Sequence, residues 1–251
     1  MQSATCVDRR LADIGSDQQL ILRNPQIWFE VFSTICPDVR IIGPSFWAEF
    51  GVDVSDLSLP DFVEVKAAID DLFQHVEVVN VGDDLIPQYV GYKIQNRWNQ
   101  FRTDICAGVT VLVIPGEFSL NQLFAFAQDN GLPLQVTIDL TASGDVPFSS
   151  KSYICVISNS ILKKTRNKPY DSQLAQVEGL GYEPPRIGEA ALLMVTQSLD
   201  NTRPRGGDIS TFYTRCEERQ VSVGGDPDNS PSIIFDLSHS INKGMFAVRK
   251  F

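Results

Sequence analysis

The sequence has few of the residues from which metal sites are built. It contains two histidines, His75 and His239, and five widely spaced cysteines with no C-x-x-C pair among them. A structural zinc site needs four clustered cysteine or histidine ligands, which this chain can hardly supply. Scattered cysteines in odd number are typical of reduced thiols in a reducing compartment. We therefore predict no bound metal.

Long apolar runs and an excess of positive charge are also missing. No stretch approaches the roughly 20 apolar residues of a membrane-spanning helix, and the N-terminus has no apolar segment of a secretory signal. The formal net charge of −10 argues against general nucleic-acid binding, because an acidic surface repels phosphate backbones. No phosphate-loop or hydrolase motif occurs, and we expect no cofactor. These features predict a soluble, cytoplasmic protein.

The first half of the chain contains helix-start signals. Asn24-Pro25 is typical of an N-cap followed by proline in the first turn, and apolar residues recur at helical spacing until Pro37. Serine or aspartate with a glutamate or glutamine three residues later forms a capping-box pattern. Helix starts are also predicted at Ser45, at Asp61 with Glu64 and at Ser119 with Gln122. Two later helices are predicted from helical spacing, one containing Tyr170, Leu174 and Val177 and the next containing Ile187, Ala191, Met194, Val195 and Ser198.

Strand patterns become denser toward the C-terminus. The β-branched run Gly108–Pro115 predicts a central strand buried on both faces. In the last third the polarity alternates with period two, which predicts antiparallel strands joined by a turn region at Gly224–Asn229 and by a second turn near Asn242–Gly244. The predicted strands are Gln88–Ile94, Leu134–Leu140, Tyr153–Ser158, Phe212–Val223, Ser232–Leu237 and Met245–Val248.

The order of these elements predicts the fold class. We expect an α+β fold with short N-terminal helices, a mixed central α/β region and an antiparallel C-terminal sheet. A change in composition near residue 80 divides the chain into a helical N-terminal subdomain, residues 1–78, and an α+β domain, residues 79–251.

Cys216 is a candidate nucleophile, with His239 as the imidazole of the C-terminal third. A catalytic cysteine needs a lowered pKa and a nearby base. Strand alternation places Arg215 on the opposite face from the thiol, where the guanidinium is badly placed to support a thiolate. A buried thiol that packs as a small hydrophobic side chain is therefore the favoured interpretation.

Two other features could bind an anion. Tyr213 and Arg215 lie two residues apart, hence on one face of a strand, and arginine suits phosphate and carboxylate groups. Lys163–Tyr170 is the densest basic run, and it precedes a helix whose N-terminus could add to an anion site. A solvated strand face and a solvated basic loop remain the alternatives. The candidate ligands of the loop are Lys163, Lys164, Arg166, Asn167 and Lys168.

Eight short motifs follow one another between residues 45 and 251. They are Trp47 with Phe50-Gly51, Leu59-Pro60, Leu112–Pro115, Thr165–Tyr170 with Gln173, Glu189-Ala190, Tyr213–Cys216, Val223–Gly225 and Arg249–Phe251. In these motifs the chain resembles a family of proteins from chlamydia-like symbionts of amoebae and some planctomycetes. Several members of that family carry an F-box-like helical segment ahead of the shared region.

The chain departs from this family in two places. Gly206–Ser210 stands where related chains have a longer tract with tyrosine and proline, and the first 40 residues lack the leucine-proline opening of an F-box. The resemblance implies no catalytic residues. It indicates which positions to test first: Arg166, Asn167, Tyr213, Arg215 and Arg249.

These observations favour a protein that acts by binding. The first hypothesis is an interaction module, an adaptor or an effector of an intracellular bacterium delivered into a host cell, whose partner contacts Trp28, Phe29 and Phe32 unless these aromatics belong to the core. The alternative is a protein or enzyme that binds a small anion or phosphate ligand with the Arg166 loop and the Tyr213/Arg215 face. A shared pocket between these two features would favour the alternative.

Overall fold

The structure is a computed structural model that describes residues 24–36, 39–76, 108–132, 135–136, 147–159, 161–162, 164–165, 168–199, 213–217, 221–225, 231–235 and 243–251. Its helices are α1 (Pro25–Ile35), α2 (Pro44–Glu49), α3 (Phe62–His75), α4 (Leu120–Asp129), α5 (Tyr170–Gly179) and α6 (Ile187–Leu199). Its strands are β1 (Arg40–Ile42), β2 (Val109–Ile114), β3 (Gln135–Val136), β4 (Tyr153–Ser158), β5 (Tyr213–Arg215), β6 (Val221–Gly225), β7 (Pro231–Phe235), β8 (Lys243–Gly244) and β9 (Val248–Lys250). The predicted α+β fold class is confirmed.

The strands form two sheets. The first has the order β1-β2-β4-β9, in which β1 is parallel to β2 and the other neighbours are antiparallel. The second has the order β3-β7-β6-β5-β8. Its three central strands are antiparallel, as predicted for this part of the chain, and β3 and β8 join them in parallel at the edges. Met245–Ala247 connects β8 in the second sheet to β9 in the first.

Helix α6 lies between the two sheets. It contacts β2 of the first sheet and β6 and β7 of the second. Every residue from Ala190 to Val195 is buried. A helix that is apolar on all sides is stable in water only when other elements surround it, so the composition of α6 matches its central position. Helix α3 packs against β2 and β4 of the first sheet.

Several local predictions agree with the structure. The side chains of Asn24, Asp61 and Ser119 each accept a backbone N–H in the first turn of a helix, and Ser119 forms a complete capping box. All residues of β2 are buried, as expected for a central strand. Helix α2 begins differently, because Gly43 rather than Ser45 is its N-cap and Pro44 occupies its first position.

The predicted strand Phe212–Val223 is wrong as one continuous element. β5 ends at Arg215, and β6 begins at Val221 and runs antiparallel to it. Gly224 and Gly225 of the predicted turn region lie within β6, and Lys243-Gly244 of the second predicted turn form β8. The alternation is interrupted by four consecutive polar residues, Glu217–Gln220, which lie between the two strands. The predicted strand Gln88–Ile94 lies outside the described residues.

The aromatic residues of α1 belong to the hydrophobic core. Trp28, Phe29 and Phe32 are buried, and the ring of Phe32 packs against Phe62 of α3 with 4.3 Å between centroids. These three aromatics therefore belong to the core, as the alternative interpretation predicted, and do not form the expected partner surface. β1 pairs with β2, which places this part of the chain in the first sheet. The domain boundary predicted at residue 78 lies outside the described residues.

Candidate functional site

The structure brings the predicted basic loop next to β5. Arg215 is buried, and its Nη1 donates a hydrogen bond to the carbonyl oxygen of Lys168 at 3.4 Å. Arg166, Asn167 and the side chain of Tyr213 lie outside the described part of the structure. Two of the predicted anion ligands therefore meet, and the contact between them runs through a backbone carbonyl. The expectation of a solvated strand face does not hold for Arg215, because only 4% of this residue is exposed.

Buried polar side chains beneath this contact hold neighbouring backbone segments. Gln173 Nε2 donates to the Thr165 carbonyl at 2.7 Å, and the Thr165 hydroxyl accepts from the Met245 N–H at 3.2 Å. The Thr214 hydroxyl accepts from the Phe246 N–H at 2.9 Å. These contacts are internal to the fold. Residues of two sequence motifs, Thr165–Tyr170 with Gln173 and Tyr213–Cys216, therefore stabilise the fold through these hydrogen bonds.

The cysteines of the described residues are buried thiols. Cys216, which follows β5, has no exposed surface, and Cys155 in β4 has none either. Burial raises the pKa of the Cys155 thiol well above its ordinary value, so the uncharged form is favoured there. The structure agrees with the favoured interpretation of Cys216 as a packed side chain. His239, its proposed base, lies outside the described residues.

Arg249, another predicted ligand, is exposed on β9 of the first sheet. Its guanidinium carbon lies 5.8 Å from the centre of the Phe251 ring, within reach of a cation–π interaction. Arg249 thus belongs to a different sheet from Arg215, which lies on β5 of the second.

A second polar cluster surrounds Glu189 in the first turn of α6. Only 1% of Glu189 is exposed. Its carboxylate accepts hydrogen bonds from Tyr153 Oη at 2.6 Å and from the Arg186 backbone N–H at 2.9 Å, and it pairs with Lys250 Nζ at 3.2 Å. Lys250 Nζ also lies 2.9 Å from a carboxylate oxygen of Glu183. We call the residues around Glu189 the Glu189 rim: Tyr153, Glu183, Arg186, Glu217 and Lys250.

The local sequence explains why α6 starts at this point. The Ala190 N–H donates to the Arg186 carbonyl at 3.0 Å, which makes Arg186 the N-cap and Glu189 the third helical residue. The Glu189 carboxylate returns to the Arg186 N–H and so forms the glutamate half of a capping box. Negative charge at this end also interacts favourably with the helix dipole. The buried carboxylate therefore fixes the beginning of the helix.

The exposed part of the rim is an ion pair between Arg186 and Glu217. Arg186 Nε donates to Glu217 Oε2 at 3.0 Å, and the two side chains are 50% and 55% exposed. The backbone of Glu217 is held on both sides: its N–H donates to the Pro185 carbonyl at 2.9 Å, and its carbonyl accepts from Tyr170 Oη at 3.2 Å. Both members of the pair are thus attached to well-packed backbone.

The electrostatics of the rim favour its paired state. Burial, together with the adjacent Glu189 carboxylate, raises the pKa of Tyr153 far above its ordinary value, so its hydroxyl remains a donor. Burial alone would lower the pKa of Lys250, but the charges of Glu189 and Glu183 outweigh it and the pKa is raised. The hydrogen bond to Glu217 raises the pKa of Arg186. Both cations therefore stay charged at neutral pH.

The rim is not among the sites predicted from the sequence. Glu189 and Lys250 each fall within a motif of the family resemblance, but nothing in the sequence joins Glu189-Ala190 to Arg249–Phe251. The structure joins them by an ion pair. One local signal points to part of the rim, because Arg186 and Glu189 have the spacing of an N-cap and a third helical residue after two prolines.

No group of three or more histidine, cysteine, aspartate or glutamate side chains in the described residues could hold a metal ion. None of the described helices combines the length and the apolar character that a membrane span requires. Comparison of the chain with protein-family models, with curated proteins and with solved structures finds no match.

Proposed function

We propose that this chain is a protein-interaction module, adaptor- or effector-like, and that the Glu189 rim is its binding surface. The observation that carries this proposal is the mixed charge of the rim. Arg186 lies beside Glu217, and Lys250 lies beside Glu183 and Glu189. Alternating charges suit a partner surface of complementary pattern and penalise a mismatched one. A free phosphate would instead meet a carboxylate beside each cation.

The rigidity of the rim supports the same proposal. Its base is the buried carboxylate of Glu189, which has three donors, and Tyr153 and Lys250 are both fixed by it. Association is weakened by the ordering of mobile side chains, so a surface whose groups are already held loses less free energy on binding. Tyrosine and arginine are also enriched at the energetically important positions of protein interfaces. Tyr153 and Arg186 give the rim one of each.

The second candidate function is binding of a small anion or phosphate ligand. It is supported by the contact between Arg215 and Lys168. This contact joins the Tyr213/Arg215 face to the basic loop, and an anion site made from both features requires them to be close. Lys164 is exposed in the same loop. This candidate is weaker because the contact uses the carbonyl oxygen of Lys168, and a carbonyl repels an anion. The interaction module that we propose as the first candidate would act in the cytoplasm, and as an effector it would be delivered into a host cell.

The test exchanges the two charges of the exposed pair. The variant R186E/E217R keeps the net charge and an ion pair but inverts the pattern that a partner would meet. Its matched control is K66D/D70K, which inverts a pair on α3 whose side chains are 22% and 59% exposed. Proteins captured from a cell lysate by the wild-type chain are purified and their affinity for each variant is measured. We expect at least a roughly tenfold loss for R186E/E217R and no change for the control.

Two outcomes would count against the proposal. If R186E/E217R binds the purified partner as tightly as the wild type, the rim is not the binding surface. If inorganic phosphate raises the thermal stability of the wild-type chain but not of K164A/K168A, the second candidate is favoured instead. Phosphate binding by itself stabilises only the folded state, so the melting temperature reports it directly.

A further inference from the structure

The guanidinium of Arg186 uses only one side for its contact with Glu217. Its Nε forms the hydrogen bond, and within the part of the chain that the structure describes its two terminal nitrogens, Nη1 and Nη2, form none. Half of the side chain is exposed. An arginine has five N–H donors in a planar fork, and two parallel donors on one edge match the two oxygens of a carboxylate. The outer edge of Arg186 is therefore available for a bidentate contact.

This edge is held in position before any ligand arrives. At one end, the Arg186 backbone is the N-cap of α6 and donates to the buried carboxylate of Glu189. At the other end, Nε is held by Glu217, whose own backbone is hydrogen-bonded to Pro185 and Tyr170. A long side chain normally loses rotamer freedom when it binds. Here much of that loss has already occurred in the folded chain, so the bidentate contact costs less entropy.

We propose that Arg186 is the specificity residue of the rim and that its terminal nitrogens bind an aspartate or glutamate side chain of a partner protein. This inference rests on the proposed function and adds the chemistry of the partner. A carboxylate carries one negative charge, whereas a phosphate group carries close to two at neutral pH. The neighbouring carboxylates of Glu217 and Glu183 and the net charge of −10 penalise the second charge. A planar, singly charged group is the better match.

The first experiment uses a single carboxylate as the probe. N-acetyl-glutamate amide is titrated into the full-length ¹⁵N-labelled chain, and the Arg186 Nε–Hε signal is followed by NMR, with N-acetyl-glutamine amide as the uncharged control. The Arg186 signal is identified as the Nε–Hε signal that is missing from the spectrum of the R186K variant. We expect a saturable shift with a Kd on the order of millimolar, since one contact of this kind supplies only a few kcal/mol. No shift, or an equal shift with the glutamine compound, would overturn the inference.

The second experiment separates this inference from the proposed function. The purified partner is measured against R186K, which keeps the positive charge but has no planar fork. We expect about a tenfold loss of affinity for R186K, and none for K66R as the matched control. If R186E/E217R loses the partner while R186K retains it fully, the rim is the binding surface but the carboxylate assignment is wrong. If neither variant loses the partner, the proposed function itself fails. Circular dichroism of each variant confirms that it is folded.

Discussion

At the scale of single residues, Glu189 shows how a charge can be buried in this fold. An isolated carboxylate in the protein interior is strongly unfavourable, and it usually persists only when it is paired and hydrogen-bonded. Glu189 is paired with Lys250, and it accepts from Tyr153 and from the N-cap N–H of its own helix. The three donors come from β9, β4 and the start of α6. One side chain thus connects three separate segments of the chain.

Lys250→Met is expected to destabilise the protein by about 2 kcal/mol, because it leaves the Glu189 carboxylate buried without its ion partner. The side chain of Lys250 is 23% exposed, so the loss should be smaller than for a fully buried pair. The free energy of unfolding is measured by urea denaturation. Lys66→Met is the control: Lys66 is 22% exposed, much like Lys250, but its partner Asp70 is 59% exposed, and such an i,i+4 pair contributes only a few tenths of a kcal/mol. Adding Glu189→Gln to Lys250→Met should recover part of the loss.

This prediction has a clear contrary outcome. If Lys250→Met changes the free energy of unfolding no more than Lys66→Met does, then Glu189 does not depend on its ion partner. The ion pair would then not hold the rim in place, and it could not support the proposed binding surface.

The capping residues illustrate which residue-scale features a sequence can reveal. Asn24, Asp61 and Ser119 were predictable because each contacts backbone within its own first helical turn. The pairing of Glu189 with Lys250 was not predictable, since it requires α6 and β9 to be brought together by the whole fold. The burial of Arg215 escaped prediction for the same reason. Arg215 is buried because it contacts Lys168 of the basic loop, and its neighbours in β5 do not reveal this contact.

At the scale of elements, α6 depends on close contact with the segment that precedes β4. Gly188 lies in the first turn of α6, and a methyl group at its Cα would collide with the ring of Phe148. The sequence pattern predicted a helix from Ile187 but not this contact, because a glycine inside a helical pattern does not by itself identify what packs against it. The missing side chain allows the ring of Phe148 to lie against the helix backbone.

Gly188→Ala is expected to lower the free energy of unfolding by about 2 kcal/mol, because the collision outweighs the better helix propensity of alanine. Gly179→Ala in α5 is the matched control, since a methyl group there meets nothing within 4 Å. It should raise stability by about 0.5 kcal/mol or more. Gly188→Ala combined with Phe148→Leu should be less damaging than the sum of the two changes, because the smaller side chain relieves the overlap. Strict additivity would show that the two residues do not interact.

The hairpin of β5 and β6 shows where prediction of elements from polarity fails. Alternating polarity predicts strand conformation, but it contains no information about where a strand ends unless glycine, proline or asparagine marks the turn. No such residue lies between Arg215 and Val221. The prediction of one long strand passes over the four consecutive polar residues Glu217–Gln220, which interrupt the alternation. Gly224-Gly225, which begin the predicted turn region, lie inside β6. The same alternation places Glu217 on a strand face, whereas it follows β5 and pairs with Arg186.

At the scale of the whole molecule, three groups that bind carboxylates of other segments of the chain share one response to pH. Tyr153 of β4 binds Glu189 of α6, and Tyr182 binds the Asp71 carboxylate of α3 at 2.6 Å. Burial, with the charge or hydrogen bond of the adjacent carboxylate, raises the pKa of both tyrosines above the ordinary value of 10.0. The pKa of Lys250 is also raised above its ordinary value of 10.5.

These shifts predict that the protein loses stability in alkaline solution. A group whose pKa is raised by folding contributes its full stabilisation below the unfolded pKa and loses it as the pH rises toward the folded one. The free energy of unfolding should therefore be steady to about pH 9 and then fall, by at most about 1.4 kcal/mol per pH unit for each group. Urea unfolding followed by the fluorescence of the buried Trp28 and Trp47 provides the measurement across this range.

The variants Y153F and Y182F decide whether the two tyrosines cause the loss. Y153F removes one hydrogen bond, whereas Y182F removes the donor to both the Asp71 carboxylate and the Ala68 carbonyl. Each variant should lower stability at neutral pH by about 1 kcal/mol or more. Each should also make the alkaline decline shallower, because phenylalanine has no proton to release. In the double variant only Lys250, of these three groups, remains to titrate. A decline as steep as that of the wild type would mean that alkaline instability arises elsewhere, and that the hydroxyl protons of Tyr153 and Tyr182 do not stabilise their contacts with helices α6 and α3.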